Sequence, residues 1–198
     1  NTAVVYPDVF VDSWTYTNIT IPTEYSGREF KLTPTIYDRV PNTQVDISSN
    51  TFLFDNDVPK CAVTYPTGNL NTAPSEIKGT AEDYPLAPKD NSSVSIVQIK
   101  VQDLEYGATF WDGTNWVDVE TWFTITSTTW SYTVSEPTNT WTDGHQYKIW
   151  CRAVDGAGNS YESSFVTFIY DITEPETGVS VPVDDGYYAS GTPSQLQG

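Results

Sequence analysis

The chain has 198 residues, of which 26 are Asp or Glu and 9 are Lys or Arg, so its formal net charge is −17. This charge argues against nucleic acid and anionic lipid as partners, because phosphate binding needs clustered Lys and Arg. No stretch approaches the roughly 20 consecutive apolar residues of a transmembrane helix, so no membrane insertion is expected.

Short segments in which apolar and polar residues alternate recur along the chain, separated by Gly, Pro, Asn and Asp. This pattern predicts β-strands joined by turns, and no convincing stretch has the 3.6-residue period of an amphipathic helix. The clearest strands are predicted over 61–65, 97–101, 147–153 and 165–170, and FWDGTNW at 110–116 predicts a hairpin with an Asp-Gly turn. Seven or eight such strands in about 115 residues are typical of a β-sandwich, so the predicted fold class is all-β.

The sequence also contains an internal repeat. WTYT at 14–17 aligns with WSYT at 130–133, an offset of 116 residues (130 − 14), and GREFKL at 27–32 aligns with GHQYKI at 144–149. Further aligned pairs are Asp38 with Asp155, Asn42 with Asn159, 48–59 with 164–175, 63–66 with 179–182, and 73–79 with 192–198. Self-similarity at a fixed period predicts a tandem array of one folding unit.

The given sequence is predicted to begin and end part-way through a repeating unit. Residues 1–56 are predicted to be the C-terminal half of one unit, 57–172 a complete unit, and 173–198 the first strands of a further unit. Two interpretations stay open for the ends. In the first, the C-terminal strands of one molecule complete the N-terminal half-domain of the next, and this head-to-tail donation builds a filament. In the second, the chain is an excerpt of a longer array in which the same join is covalent.

A family resemblance rests on several motifs that occur in order: EIKGTAED, FWDGTNWV, TTWSYTV, WTDGHQYKIWCRAVDGAGNS and FIYDITEP. Together they resemble the immunoglobulin-like repeats of large bacterial surface proteins, over 57–175 and more weakly over 14–59. Residues 34–42 depart from the pattern, since PTIYDRVPN keeps only its Asp and Asn. The resemblance implies tandem immunoglobulin-like sandwiches at an extracellular or cell-surface location. It also implies a structural role in a stalk, fibre or surface assembly, with self-association or adhesion.

Sandwich topology is expected to bring acidic loop residues to one pole. In such a fold the loop after the second strand and the loop after the sixth lie beside the incoming linker. That pole would gather Asp55, Asp57, Asp83, Asp155 and Asn159. Oxygen ligands from separate loops are what Ca²⁺ requires, so calcium is a candidate cofactor. The competing interpretation is that these Asp and Asn residues simply cap tight turns through their own side chains.

Two cysteines, Cys61 and Cys151, both face inward by strand parity. If their strands lie opposite each other, a disulfide would close a loop of about 90 residues and stabilise the fold by roughly 3–5 kcal/mol. The alternative is two separately buried thiols. The aligned positions are Thr177 and Pro34, so the repeat itself does not demand cysteine there.

Tryptophans suggest an alternative function, a carbohydrate-binding accessory module of a secreted protein. Trp111, Trp116 and Trp150 are the candidates for stacking on the sugar rings of surface glycans, and Trp150 has outward parity. The competing interpretation is that recurring aromatics fill the core, since Trp130 aligns with Trp14.

Modification and catalysis leave fewer signals. Sequons at Asn18 and Asn91 permit glycan attachment. No motif of a hydrolase, nucleotide-binding enzyme or metalloprotease is present, and the single histidine, His145, is predicted to be exposed in a turn. The chain is therefore not expected to be an enzyme. Lys100 is predicted to point away from the core, where it could not form an internal isopeptide crosslink.

Overall fold

The computed structural model describes residues 15, 17, 19–34, 48–86, 89–105, 107, 109–125, 129–191 and 195–197. Within these residues the chain is built from β-strands, with a single 3-10 turn at Thr23–Tyr25 and one short helix, α1 (Pro137–Thr140). The strands are β1 (Arg28–Leu32), β2 (Asn50–Phe54), β3 (Lys60–Tyr65), β4 (Gly68–Leu70), β5 (Glu76–Glu82), β6 (Val94–Asp103), β7 (Thr109–Trp111), β8 (Trp116–Val117), β9 (Phe123–Ile125), β10 (Thr129–Thr133), β11 (His145–Asp155), β12 (Ser160–Glu162) and β13 (Val166–Tyr170). The predicted all-β class is confirmed.

Two sheets build the central part of the molecule. The smaller sheet has the order β10-β5-β3, and the larger has the order β4-β13-β11-β6-β7-β8, with β9 on β6 and β12 on β11. Neighbouring strands are antiparallel except for β4 and β13, which are parallel. Strand β11 alternates buried and half-buried residues along its whole length, as a strand at the centre of a sheet with one face on the core should.

The core lies between the two sheets and is bridged covalently. Residues such as Ile77 of the small sheet and Ile99 and Ile149 of the large sheet are fully buried in one hydrophobic cluster. A disulfide joins Cys61 on β3 to Cys151 on β11, with Cα atoms 6.2 Å apart. The predicted disulfide is therefore confirmed, and it ties the sheets together in a sandwich-like arrangement.

One glycine is required by close packing inside the small sheet. Gly79 on β5 pairs with Trp130 on β10, and a Cβ at this position would lie 2.0 Å from the Trp130 ring. Only a residue without a side chain lets the buried indole lie flat against the strand, which explains the Gly within EIKGTAE.

The hairpin predicted at the Asp-Gly turn is confirmed. Strands β7 and β8 pair through Trp111 with Trp116, and the Asp112 carboxylate accepts the N–H groups of Thr114 and Asn115 at 2.7 Å each. Gly113 has a φ of +102°, a conformation that other residues rarely adopt.

The histidine prediction was wrong, because His145 is buried. Its Nδ1 lies 2.8 Å from the Asp103 carboxylate, which is itself buried at the end of β6. Antiparallel pairing of β6 with β11 supplies this partner from a distant part of the sequence. The turn residues around His145 carried no sign of it.

A separate two-stranded sheet, β1–β2, precedes the sandwich and reproduces the register of β11–β13. Phe30 pairs with Phe52, as the aligned Tyr147 pairs with Phe168, and the other four β1–β2 pairs align in the same way. The loop glycines entering β1 and β11 also match. Gly27 has a φ of +76° and donates its N–H to the last residue of β2 at 2.9 Å; Gly144 has a φ of +77° and donates to the last residue of β13 at 2.8 Å.

The C-terminal segment repeats one pairing of the small sheet. Val181 forms an antiparallel bridge with Gln197, and the aligned residues Tyr65 and Lys78 pair in the same way between β3 and β5. Among the described residues, no helix is long and apolar enough to cross a membrane.

Candidate functional site

Three buried carboxylates meet where three strands end. Asp55 directly follows β2, Asp83 directly follows β5, and Asp155 is the last residue of β11. Their exposed fractions are 8%, 5% and 3%, respectively. One carboxylate oxygen of each lies within 4.8 Å of the others, a spacing that one cation could bridge.

Backbone and amide groups hold the carboxylates in place. The Asp55 side chain accepts the N–H of Ser92 at 2.7 Å. The Asp155 side chain accepts both the backbone and the side-chain N–H of Asn159, each at 2.8 Å. The Asn159 amide also donates to the Asp55 carbonyl oxygen at 3.2 Å, so the turn after β11 is tied to the linker between β2 and β3.

The electrostatics of the cluster are unfavourable without a cation. Burial raises the pKa of Asp83, the Tyr84 N–H lowers it, and the neighbouring charges of Asp55 and Asp155 raise it further. None of the ion pairs in the described part of the chain involves these three carboxylates. Three carboxyl groups are therefore held together out of water with no basic side chain paired to them.

The structure gathers most, though not all, of the predicted pole. Asp55, Asp83, Asp155 and Asn159 come together as the topology suggested. Asp57 is half-buried and lies outside the carboxylate group; its backbone N–H donates to Asp55 at 3.2 Å.

Sequence reasoning did not find two serines that support the cluster. Ser92 donates its hydroxyl to Asp83 at 3.4 Å, in addition to its backbone contact with Asp55. The Ser26 hydroxyl lies 3.5 Å from an Asp55 oxygen and accepts the Asn56 N–H at 2.8 Å. Both belong to polar loops whose composition is ordinary, so no sequence signal distinguished them.

The sequon residue Asn91 also belongs to this pole. Its side-chain nitrogen, the atom to which a glycan would be attached, donates to the carbonyl oxygens of Asp83 and Pro85 at 3.4 and 3.1 Å. Asn18, the other sequon residue, lies outside the described residues.

The loop after β13 repeats part of the hydrogen-bond pattern of the loop after β2. We call these two loops, at 55–57 and 171–173, the first and second joints. Asp143 accepts the N–H of Ile172 and the hydroxyl of Thr173, both at 2.7 Å, as the aligned Ser26 accepts the N–H of Asn56. Asp171 accepts the Thr173 N–H at 3.0 Å, as the aligned Asp55 accepts that of Asp57. The Ile172 N–H and the Thr173 hydroxyl hold the pKa of Asp143 below its usual value.

The three candidate sugar-stacking tryptophans do not share a surface. Trp111 is buried in the core, and the Trp116 ring stacks on Tyr147 with centroids 5.6 Å apart. Trp150 lies on the opposite face of β11. Its ring contacts Phe165, and the Lys100 ammonium lies over the ring, 4.5 Å from its centroid. Lys100 lies on this outer face, as strand parity predicted, but it is buried there and its ammonium pairs with Glu120 at 3.1 Å.

Comparisons with known proteins leave the assignment to the structure. No family model matches this sequence, and no curated protein matches it significantly.

Proposed function

We propose that this protein is an extracellular structural repeat protein made of tandem immunoglobulin-like β-sandwiches. In this proposal 57–172 is a complete unit, and 1–56 and 173–198 are parts of its neighbours in a stalk, fibre or surface assembly. The observation that carries the proposal is the recurrence of β11–β13 as β1–β2, pair by pair, with the same joint after each. Such a recurrence is what an array of repeated units would produce.

The direction of the strands supports a rod. Asp155 lies at the end of β11 beside the incoming linker, whereas Tyr170, the last residue of β13, pairs with His145 at the start of β11. The chain therefore enters and leaves the complete unit at opposite ends of an 11-residue strand. Such a strand spans about 34 Å, so successive units would add length.

The inter-sheet disulfide fits a role outside the cell and under load. Disulfides persist in oxidising compartments such as the extracellular space. The bond joins residues 90 positions apart, so stretching an oxidised unit cannot extend most of its chain.

Single-molecule pulling tests the load-bearing role. With the disulfide intact, unfolding of the complete unit should lengthen the molecule by about 6 nm, and after reduction by about 37 nm, since an extended residue spans about 3.5 Å and the folded unit already separates its ends by about 3.4 nm. The complete unit should also open last. Its opening at or below the force that extends the flanking segments would contradict the proposal.

The same proposal gives the acidic pole the role of a calcium-stiffened joint. A divalent cation among Asp55, Asp83 and Asp155 would remove their mutual repulsion and fix the linker to the turn after β11. We expect chelation to lower the melting temperature and Asp155→Ala to reproduce that loss. Asp112→Ala, in an exposed turn, is the matched control and should leave the calcium effect intact.

Two measurements decide the calcium proposal. Calorimetric titration of the chelated protein should show heat at about one ion per chain. A titration without heat, together with a melting curve that chelation does not change, would reject calcium and leave the turn-capping interpretation.

A further inference from the structure

Basic residues concentrate on the outer face of the large sheet. The outward positions of its two central strands, β6 and β11, carry Lys100, Lys148 and Arg152 and no carboxylate. These three are a third of the 9 basic residues of the chain. A face of this composition differs sharply from the rest of a chain that has 26 acidic residues and a formal charge of −17.

Two tryptophan rings contact the side chains of Lys100 and Arg152. The Lys100 ammonium lies 4.5 Å from the centroid of the Trp150 ring and 4.6 Å from that of Trp122. The Arg152 guanidinium carbon lies 4.5 Å from the Trp122 centroid. Such contacts are attractive because the face of an aromatic ring is electron-rich. The two cations therefore hold both rings in place on the outer face.

The same arrangement continues toward β13. The Lys148 ammonium lies 4.5 Å from the centroid of the Phe165 ring, and that ring contacts Trp150 with centroids 5.5 Å apart. Phe165 is 48% exposed, and both tryptophans of this face are half-buried, so solvent reaches all three rings. We call the following set the outer patch: Lys100, Trp122, Lys148, Trp150, Arg152 and Phe165.

Two carboxylates at the patch both pair with the same cation. Glu120 and Glu162 lie 3.1 and 3.6 Å from the Lys100 ammonium. Glu162 is also the cross-strand partner of Arg152, yet the ion pair that it forms is with Lys100. Neither Lys148 nor Arg152 takes part in an ion pair with another described residue. The local formal charge is therefore +1 (3 cations − 2 carboxylates), so an anionic ligand meets its most favourable surface here.

The Arg152 side chain is already positioned to bind a carboxylate. Its Nε and Nη2 donate to the Gln98 Oε1 at 3.0 and 2.8 Å, and Trp122 packs against the guanidinium. These bonds leave the Nη1 amino group without a partner among the described residues. A guanidinium held in this way loses little freedom on binding, and its planar fork matches the two oxygens of a carboxylate.

A ligand of this face must be recognised by side chains, because the backbone beneath them is already paired. Strand β11 is hydrogen-bonded to β6 on one side and to β13 and β12 on the other, and β6 lies between β11 and the strands β7 and β9. An extended peptide therefore cannot add a strand here. Aromatic rings stack on the C–H face of a sugar ring, and cations bind carboxylates. A sugar that carries a carboxylate combines both features.

We propose that the outer patch binds an acidic polysaccharide, a linear chain of sugars that carry carboxylate groups. The sugar rings lie on Trp122, Trp150 and Phe165, and their carboxylates pair with the two basic residues that have no ion pair, Lys148 and Arg152. These two residues lie four positions apart on one face of β11, a distance of about 13 Å. A chain of sugars, and not a single sugar, reaches both. The inference adds a ligand to the proposed structural role and does not depend on it.

Probes that differ only at the carboxylate test this site. An oligomer of galacturonate and its methyl ester have the same sugar and linkage, but the ester is uncharged. Calorimetric titration in chelator, where calcium cannot bridge carboxylates, should show the acid form binding about tenfold more tightly than the ester. Polyglutamate with the same number of carboxylates has no ring to stack and should also bind about tenfold more weakly than the galacturonate oligomer.

Substitution of Arg152 locates the binding on the outer patch. Arg152→Gln should weaken the binding of the galacturonate oligomer about tenfold, and Arg152→Lys, which keeps the charge and loses the planar fork, should recover only part of it. The matched control is Lys60→Gln, because Lys60 also lies over an aromatic ring, that of Tyr84 at 4.6 Å, outside the patch. This control should change the affinity less than about twofold. The melting temperature of each variant shows whether it is folded.

Four outcomes would overturn the inference. They are no heat with any probe, equal affinity for the galacturonate oligomer and its ester, polyglutamate binding as tight as that of the oligomer, and equal losses in Lys60→Gln and Arg152→Gln. The comparison of probes uses the unsubstituted chain, so it decides the question even if Arg152→Gln does not fold. None of these outcomes changes what is expected from pulling or from calcium, so failure of this site is distinguishable from failure of the structural role.

Discussion

Two antiparallel strand pairs of this molecule, β1–β2 and β11–β13, share a register and differ in their surroundings. In β11–β13 the inward side chains are covered by a second sheet, whereas in β1–β2 the aligned side chains are exposed in the single chain. Backbone pairing is thus set locally, by hydrogen bonds between adjacent strands and by the left-handed glycine that enters each hairpin. Burial of the inward side chains depends on the sheet that packs opposite them, and the sequence of the strand pair itself does not determine that sheet.

Loss of the disulfide should give the largest difference between the complete unit and its flanks. Cys61→Ser with Cys151→Ser should lower the free energy of unfolding of the complete unit by about 3–5 kcal/mol, since the bond restrains a long loop in the unfolded chain. Urea unfolding followed by tryptophan fluorescence measures this, because six of the seven tryptophans lie within 57–172.

The flanking segments provide the internal control for this change. Their rate of cleavage by a protease should be the same with and without the disulfide. A loss of less than about 1 kcal/mol in the complete unit, small beside the 2–5 kcal/mol typical of a native disulfide, would show that packing alone holds the two sheets together.

The next largest difference is expected when aligned residues of the two strand pairs are truncated and the losses in free energy of unfolding are compared. Ile149→Ala removes a fully buried side chain from β11 and should cost about 2–5 kcal/mol. Leu32→Ala removes the aligned, exposed side chain of β1 and should cost less than about 0.5 kcal/mol in the monomer. Urea unfolding of both variants at low protein concentration checks the pair; equal losses would mean that β1–β2 is already packed within one chain.

Much of the sandwich could be predicted because its strands obey a simple alternation. The residues of β11 alternate inward and outward without interruption, so parity alone turned Cys151 toward the core and toward Cys61. The repeat added the correspondence of β1 with β11. By contrast, the buried pair His145–Asp103 escaped prediction because it joins residues 42 positions apart across two strands.

The sequence allowed the carboxylates of the acidic pole to be predicted, but not the serines that hydrogen-bond to them. Strand ends that topology brings together identified Asp55, Asp83 and Asp155. The contributions of Ser26 and Ser92 depend on hydroxyl and backbone directions within irregular loops. Such directions follow from the folded geometry, and polar loop composition does not encode them.

The smallest expected effect distinguishes the two joints by their response to pH. Burial and the charges of Asp55 and Asp155 raise the pKa of Asp83 in the folded state above its ordinary value of 3.8. The folded protein therefore binds this proton more tightly than the unfolded chain does. In chelator, the free energy of unfolding should rise as the pH falls through the folded pKa toward 3.8, and the stabilisation should be lost as the pH rises again.

Asp83→Asn should remove this contribution, because the amide is neutral at every pH. In chelator at neutral pH the variant should be more stable than the unsubstituted protein, and the two should converge in acid. Asp143→Asn is the comparison variant at the second joint: the pKa of Asp143 is lowered by its hydrogen bonds to Ile172 and Thr173, a contribution of opposite sign, so this substitution should not reduce the gain in stability on acidification. Chemical unfolding from about pH 4 to 8, the range above the ordinary carboxyl pKa, measures all three proteins. An Asp83→Asn variant that is less stable at neutral pH in chelator would show that the hydrogen bonds to Tyr84 and Ser92 outweigh the repulsion.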